Sequence, residues 1–233
     1  MPATPFTSST HSIRVWDLPT RLFHWSLAAS VVGLVITGSL GGNFMPWHFR
    51  LGYAVFTLLV FRLVWGVVGG YWSRFTAFMP SPARVLGYVK GQVSSPVGHN
   101  PLGALSVLAM LLVLFAQVGT GLLSDDEIAF SGPLTALVDS SWVSLATGYH
   151  KGPGKLALLA LVALHTAAIV FYQWMKRKKL VQSMVSGRIP VDAAQGVSLE
   201  SADGTAQRLL AATILAASVG LVTWVVNLAP AAI

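Results

Sequence analysis

Six histidines are the residues of this sequence whose side chains could do chemistry beyond packing. His24 and His165 lie inside long apolar segments, whereas His48 and His150 lie where two such segments begin. An ionisable side chain inside a bilayer costs free energy, so its default interpretation is functional. An imidazole can bind a metal ion or transfer a proton, and it can also simply form a structural hydrogen bond. Four histidines at ordered depths favour the chemical roles over the structural one.

Five apolar segments would hold these histidines in place. A membrane-spanning helix needs about 20 mostly apolar residues, and the chain is 54% hydrophobic and only 10% charged. We therefore expect an all-α integral membrane protein. Its expected units are a cytoplasmic N-terminal tail, a four-helix core, a cytoplasmic linker and a fifth transmembrane helix, at residues 1–19, 20–179, 180–206 and 207–233. The predicted spans lie at roughly 20–40, 48–69, 101–123, 153–175 and 207–228.

Basic residues set the expected orientation. The formal net charge is +7, but its distribution along the chain indicates membrane topology rather than binding of nucleic acid. Arg50, Lys151 and Lys155 fall on one side of the predicted bundle, together with the acidic residues 125–127. Eleven cations fall on the other side: Arg14, Arg21, Arg74, Arg84, Lys90, Lys176, Arg177, Lys178, Lys179, Arg188 and Arg208. Since the cation-rich side is cytoplasmic, we expect a cytoplasmic N-terminus.

The sequence contains no cysteine. Disulfides, cysteine-ligated iron–sulfur clusters and covalently attached c-type haem are therefore excluded. Motifs of hydrolases and kinases are also missing, so no catalytic residue is predicted. Any metal must be held by histidine, methionine or oxygen ligands.

The predicted topology sorts four histidines into two pairs. His24 and His165 belong to the inner half of the membrane, and His48 and His150 lie near its outer face. In an uninterrupted helix, His150 and His165 would lie about 22 Å apart along the axis and within roughly 60° around it. One helix could then offer ligands to two cofactors, as electron transfer across the membrane through two bis-histidine haems requires. A proton path or structural hydrogen bonds remain the alternatives.

The other candidate residues surround these pairs. Arg50, Lys151 and Lys155 are placed to contact haem propionates at the outer face, or to anchor helices at the interface. Arg62, near the inner face, could serve an inner haem or extend its charge toward the headgroups. His99 is expected to be a cap or surface residue on the cytoplasmic side, with contact to a quinone or a haem propionate as the alternative, and His11 is expected to belong to the tail.

Several stretches resemble the bacterial cytochrome b561 family, which is related to the b-type subunits of nickel–iron hydrogenases. They are "WDLPTRLFHW", "HFRLGYAVFTLLVFRLVWGVVG", "GHNPLGAL" and "DDEIAFSGPL", together with the two histidines near the fourth span. The resemblance covers roughly residues 14–188. It implies a four-helix, di-haem, quinone-linked electron carrier of the inner membrane. It also implies that His24 with His165 holds one haem b, and His48 with His150 the other.

Two features depart from the family pattern. "HKGPGK" places Gly152, Pro153 and Gly154 directly after His150, so Pro153 is expected in a first helical turn and His150 just outside that helix. This makes His150 the least secure ligand. The fifth span lies beyond the four-helix core, and we expect it to pack outside the bundle and contribute to a partner or homodimer contact.

Three functions compete on the sequence. The first is an electron carrier between the quinone pool and a periplasmic partner, either a c-type cytochrome or an oxidoreductase subunit. The second is an enzyme, a superoxide oxidase that passes electrons from superoxide to ubiquinone and uses the outer cations to steer the anion. The third is a haem-free proton or solute transporter that uses its histidines as a relay, which the sequence favours least because it shows no repeated half.

Overall fold

Long helices dominate the computed structural model, which describes residues 10–92, 98–192 and 199–228. In these residues, five helical segments are long and apolar enough to cross a membrane, so the prediction of an all-α, multi-pass membrane protein is confirmed. The elements in chain order are β1 Thr10–Arg14, α1 Leu18–Leu40, α2 Met45–Val68, α3 Phe75–Phe78, α4 Pro82–Val89, α5 Pro101–Leu122, α6 Ser140–Lys151, α7 Pro153–Trp174, α8 Leu180–Ser186, β2 Arg188–Asp192 and α9 Thr205–Val226.

Local sequence sets where the helices begin and end. Asp17 caps α1 by accepting a hydrogen bond from the backbone N–H of Thr20, and Asn100 caps α5 in the same way. A proline stands in the first turn of both helices, where no intrahelical N–H partner is lost. At the end of α1, Gly41 has φ 63°, a left-handed conformation that glycine adopts without strain.

The apolar segment Ser140–Trp174 is divided into two helices just before the predicted fourth span. Gly152 separates α6 from α7 with φ −107° and ψ −107°, and Pro153 starts α7. His150 therefore lies outside α7, as the "HKGPGK" stretch predicts, but it is still helical, in the last turn of α6. His150 and His165 are consequently carried by two helices, and the uninterrupted-helix geometry considered from sequence does not apply.

Helix α2 is the centre of the bundle. It packs against α1, α5 and α9, while α7 packs against α5 and α6. Val55, Leu59 and Trp65 of α2 are fully buried and lie in the main hydrophobic cluster. Ala211 of α9 joins this cluster, so the fifth transmembrane helix is packed on the core through α2.

The tail and the linker form a structure that the sequence did not predict. Strands β1 and β2 pair antiparallel, with Thr10 opposite Asp192 and Arg14 opposite Arg188. Asp203, whose side chain is 1% exposed, forms ion pairs with Arg14 and Arg208 and so connects this sheet to the start of α9. We call this end of the bundle the tail end, and the opposite end, with residues 41–45 and 123–152, the loop end.

Candidate functional site

Two histidines from different helices face each other at the loop end. The ring centres of His48, on α2, and His150, on α6, are 6.1 Å apart with an interplanar angle of 89°. Both side chains are half-buried. Helices α2 and α6 do not pack closely against each other, so the two rings meet across a gap between the helices.

Hydrogen bonds fix the orientation of both rings. Nδ1 of His150 lies 2.9 Å from the backbone oxygen of Gln117, and Nδ1 of His48 lies 3.1 Å from that of Leu34. Because a carbonyl oxygen only accepts, each Nδ1 carries the proton and donates it. Each Nε2 is then left as a lone-pair donor, which is the arrangement that metal-binding imidazoles adopt.

Glycines make room for the two rings. An added Cβ on Gly38 would lie 2.9 Å from Cε1 of His48, and one on Gly121 would lie 2.9 Å from Cε1 of His150. A carbon pair at optimal separation lies at about 3.5–4.0 Å. Only glycine therefore allows the rings to lie where they do.

A cavity of about 530 Å³ opens beside this pair. Its walls are mostly apolar, with Val55 and Leu114 among them, and both histidines contribute to its lining. Its charged lining residues other than histidine are two acids and two bases: Asp125, Asp126, Lys151 and Lys155. A concave, apolar site of a few hundred Å³ with few polar groups is typical of cofactor binding.

The rim carboxylate of Asp126 is held in its charged form. Its Oδ1 accepts hydrogen bonds from the backbone N–H groups of Phe130, Ala129 and Ile128 at 2.9–3.0 Å. These bonds lower the pKa of Asp126 below its ordinary value. The mouth of the cavity therefore keeps both signs of charge at neutral pH.

A second histidine pair lies toward the tail end. The ring centres of His24, on α1, and His165, on α7, are 6.5 Å apart. Helices α1 and α7 do not pack closely against each other either. Nδ1 of His24 is buried and has no hydrogen-bond partner among the described residues.

Both separations fit two imidazoles on opposite sides of one metal ion. An imidazole nitrogen lies about 1.2 Å from the ring centre and binds a metal at about 2.0 Å, which places the ring centres about 6.4 Å apart. Within the described ranges, no three His, Asp or Glu side chains converge as a complete protein-only metal site. Two axial imidazoles beside an apolar cavity are instead a donor set that suits haem, whose macrocycle supplies the other four nitrogens.

The predicted cationic residues take different positions. Lys151 and Lys155 line the cavity, and Nζ of Lys151 lies 3.4 Å from the backbone oxygen of Asp125. Arg50 does not line the cavity, because its guanidinium lies 5.0 Å from the ring centre of Trp47. The structure thus brings two of the three predicted outer cations to the site.

His99 is not the cap of α5. Asn100 is that cap, and His99 is half-buried between the rings of Trp16 and Phe78, at 4.8 and 4.7 Å. Burial and, to a smaller extent, the positive charge of Arg62 lower the pKa of His99 to about 4. His11 is exposed on β1.

Gln117 is a site residue that sequence reasoning missed. Its backbone oxygen accepts the Nδ1 proton of His150, and its side-chain Nε2 donates to the backbone oxygen of His150 at 3.3 Å. The available signal was a polar side chain in the middle of the apolar segment "LLVLFAQVGTGL". Such intramembrane polar residues deserve the same functional interpretation as the histidines.

Comparisons with known proteins match this chain to a family of cytochromes. The family model described as prokaryotic cytochrome b561 matches residues 15–187. A protein of Bradyrhizobium diazoefficiens, named a probable Ni/Fe-hydrogenase B-type cytochrome subunit, is 26% identical over 212 residues, which cover 76% of this chain and 85% of the relative. A protein of the same name from Cupriavidus necator is 28% identical over 211 residues, covering 74% and 85%. No solved structure matches the chain.

Proposed function

The chain belongs to the prokaryotic cytochrome b561 family, and on this premise we propose that it holds two haems b, each between two histidines, and carries single electrons across the membrane. Membership and the five long apolar helices make the protein a multi-pass membrane haem b electron carrier. The two-haem arrangement is our proposal.

The observation that carries the proposal is the pair of opposed imidazole couples at two depths. His48 packs against Gly38, which is fourteen residues after His24 on the same helix. At 1.5 Å per residue the two sites are about 21 Å apart along α1, most of an apolar layer about 30 Å thick. We therefore assign His24 with His165 to one haem and His48 with His150 to the other.

Bound haem would supply a one-electron iron couple at each site. The protein's own residues set the ligand orientation, through the backbone oxygens of Leu34 and Gln117, and exclude water through the apolar helix faces. No residue is required to act as a general acid, base or nucleophile.

We propose that the tail end is cytoplasmic, because most cations of the chain lie there, and that the membrane is the bacterial inner membrane. The loop end would then face a periplasmic redox partner, and the quinone pool would exchange electrons with the other site. The relatives named as Ni/Fe-hydrogenase subunits support a redox enzyme as that partner.

Charge at the cavity mouth favours a carrier over a superoxide oxidase. The two lysines and two aspartates that line the cavity carry opposite charges that cancel. A site built to attract a small anion needs a net positive field. Haem-free transport is disfavoured by the family membership.

Electron transfer through vesicle membranes tests the proposal. Purified chain is reconstituted in liposomes that contain ferricyanide, and a membrane-impermeant reductant is added outside. Wild type should reduce the internal ferricyanide, whereas His24→Ala and His150→Ala should each abolish the transfer. Equal rates in empty liposomes and in liposomes with wild-type protein would refute it.

A further inference from the structure

Arg62 is a buried cation for which the described residues supply little compensation. It lies in α2 near the tail end and is 4% exposed. A guanidinium has five N–H donors, but its only hydrogen bond within the described part of the chain runs from Nη1 to the backbone oxygen of Ser73, at 3.0 Å. The nearest aromatic ring, that of Phe75, has its centre 4.7 Å from Cζ.

Asp17, the carboxylate near Arg62, already accepts hydrogen bonds from other groups. Asp17 is fully buried and accepts hydrogen bonds from the backbone N–H of Thr20, from Nε1 of Trp65 and from the hydroxyl of Ser73. No salt bridge joins Asp17 and Arg62 in the described residues. Asp17 therefore offsets the charge of Arg62 at a distance but leaves its remaining donors free.

His99 presents a second unused polar group on the same side. Its Nδ1 is buried and has no partner among the described residues. Phe78 contacts both residues, with its ring centre 4.7 Å from that of His99 and 5.9 Å from Cζ of Arg62. The low pKa keeps His99 neutral at physiological pH, so it can donate one N–H without adding charge.

Both groups border the tail-end histidine pair. Cζ of Arg62 lies 6.0 Å from the ring centre of Phe23, the residue before His24. His99 shares the ring of Phe78 with Arg62 and so lies in the same region. A buried cation and a neutral donor beside one cofactor position are suited to bind a carboxylate, which Arg recognises through two parallel hydrogen bonds.

We propose that Arg62 and His99 bind a propionate carboxylate of the haem between His24 and His165. This inference rests on the proposed function. The carboxylate would satisfy the free donors of Arg62 and neutralise its charge, which a buried cation requires. Arg62 and His99 are then positioning residues for this haem, and they raise its midpoint potential by placing a positive charge beside it.

The test uses the full chain loaded with haem that carries ¹³C at the propionate carboxyl groups. Arg62→Gln removes the charge, and Arg74→Gln is the matched control, because Arg74 is exposed at the same end and, among the described residues, its side chain bonds only to the backbone oxygen of Gly69. Redox titration gives both midpoint potentials, and redox-difference infrared spectra report the labelled carboxylate. His99→Phe keeps the ring between Trp16 and Phe78, and His99→Asn restores a donor.

We expect Arg62→Gln to lower one of the two potentials and shift the labelled band, and Arg74→Gln to change neither. His99→Phe should shift the same band, and His99→Asn should restore it. Unchanged potentials and bands in Arg62→Gln and His99→Phe, with both haems present, would overturn this inference alone. So would loss of quinol reduction without a band shift, because the site would then bind a quinone oxygen. Absence of haem from wild type would overturn the proposed function as well.

Discussion

Replacing Gly121 by alanine would add a methyl group 2.9 Å from Cε1 of His150. Carbon atoms prefer about 3.5–4.0 Å, so the ring would have to retreat by roughly 0.6–1.1 Å. Metal–ligand distances tolerate deviations of about 0.2 Å. The ring is also held by its hydrogen bond to the backbone oxygen of Gln117, which a retreat from α5 would lengthen. We therefore expect Gly121→Ala to remove or misligate the loop-end haem.

The assay is the pyridine haemochrome ratio of haem to chain, together with the reduced-minus-oxidised spectrum. The ratio should fall from about two to about one, because the tail-end pair is not touched. Gly119→Ala is the matched control on the same helix, since an added Cβ there meets nothing within 4 Å.

Helix propensity does not complicate the comparison of these two variants. Alanine favours a helix by about 1 kcal/mol over glycine, so neither substitution weakens α5 itself. Two haems with an unchanged spectrum in Gly121→Ala would refute the placement of His150 as a ligand.

Three further predictions concern charge. Asp17→Ala leaves three buried donors without an acceptor, and we expect a loss of about 1–3 kcal/mol in stability, measured by thermal unfolding in detergent. Burial raises the pKa of Asp203, but hydrogen bonds from Arg208 and Leu18 and the charge of Arg14 outweigh it, so the pKa lies below its ordinary value of 3.8. A lowered folded-state pKa stabilises the fold above the unfolded pKa, and this stabilisation is lost as pH falls through the folded value. The melting-temperature difference between wild type and Asp203→Asn should therefore be full at pH 7, begin to fall near the ordinary pKa of 3.8 and vanish once the pH lies below the folded pKa of Asp203; a constant difference would contradict it. Stopped-flow reduction by superoxide should depend weakly on salt, because the mouth charges cancel; a steep dependence would favour the oxidase.

Depth and residue type were sufficient to select the four site histidines. Hydropathy located their helices, and the positive-inside rule ordered their depths. The structure brings together the same pairs, His24 with His165 and His48 with His150. Position along a span determines depth directly, and this is why the sequence could select them.

Contacts between distant segments were not predictable from the sequence. His99 was interpreted as a cap or surface residue because the sequence did not indicate that Trp16 of the tail and Phe78 would cover it. The pairing of β1 with β2 joins strands separated by more than 170 residues, and each strand is only five residues long. Arg50 was predicted to contact a haem propionate or to anchor its helix because it follows His48 by two residues, and its side chain packs on Trp47.

Part of the surroundings of the histidines could have been predicted from the sequence. Gln117 interrupts an apolar segment and could have been selected as a polar residue inside the membrane. Gly38 and Gly121 could not be told from Gly119 by sequence, because only the position of the imidazoles distinguishes them.

Haem content in wild type, His24→Ala and His150→Ala decides whether the chain holds two haems. We expect two haems b per wild-type chain, and the loss or spectral change of a different single haem in each variant. One haem in wild type, or two unchanged haems in either variant, would contradict the assignment of two histidine pairs to two haems.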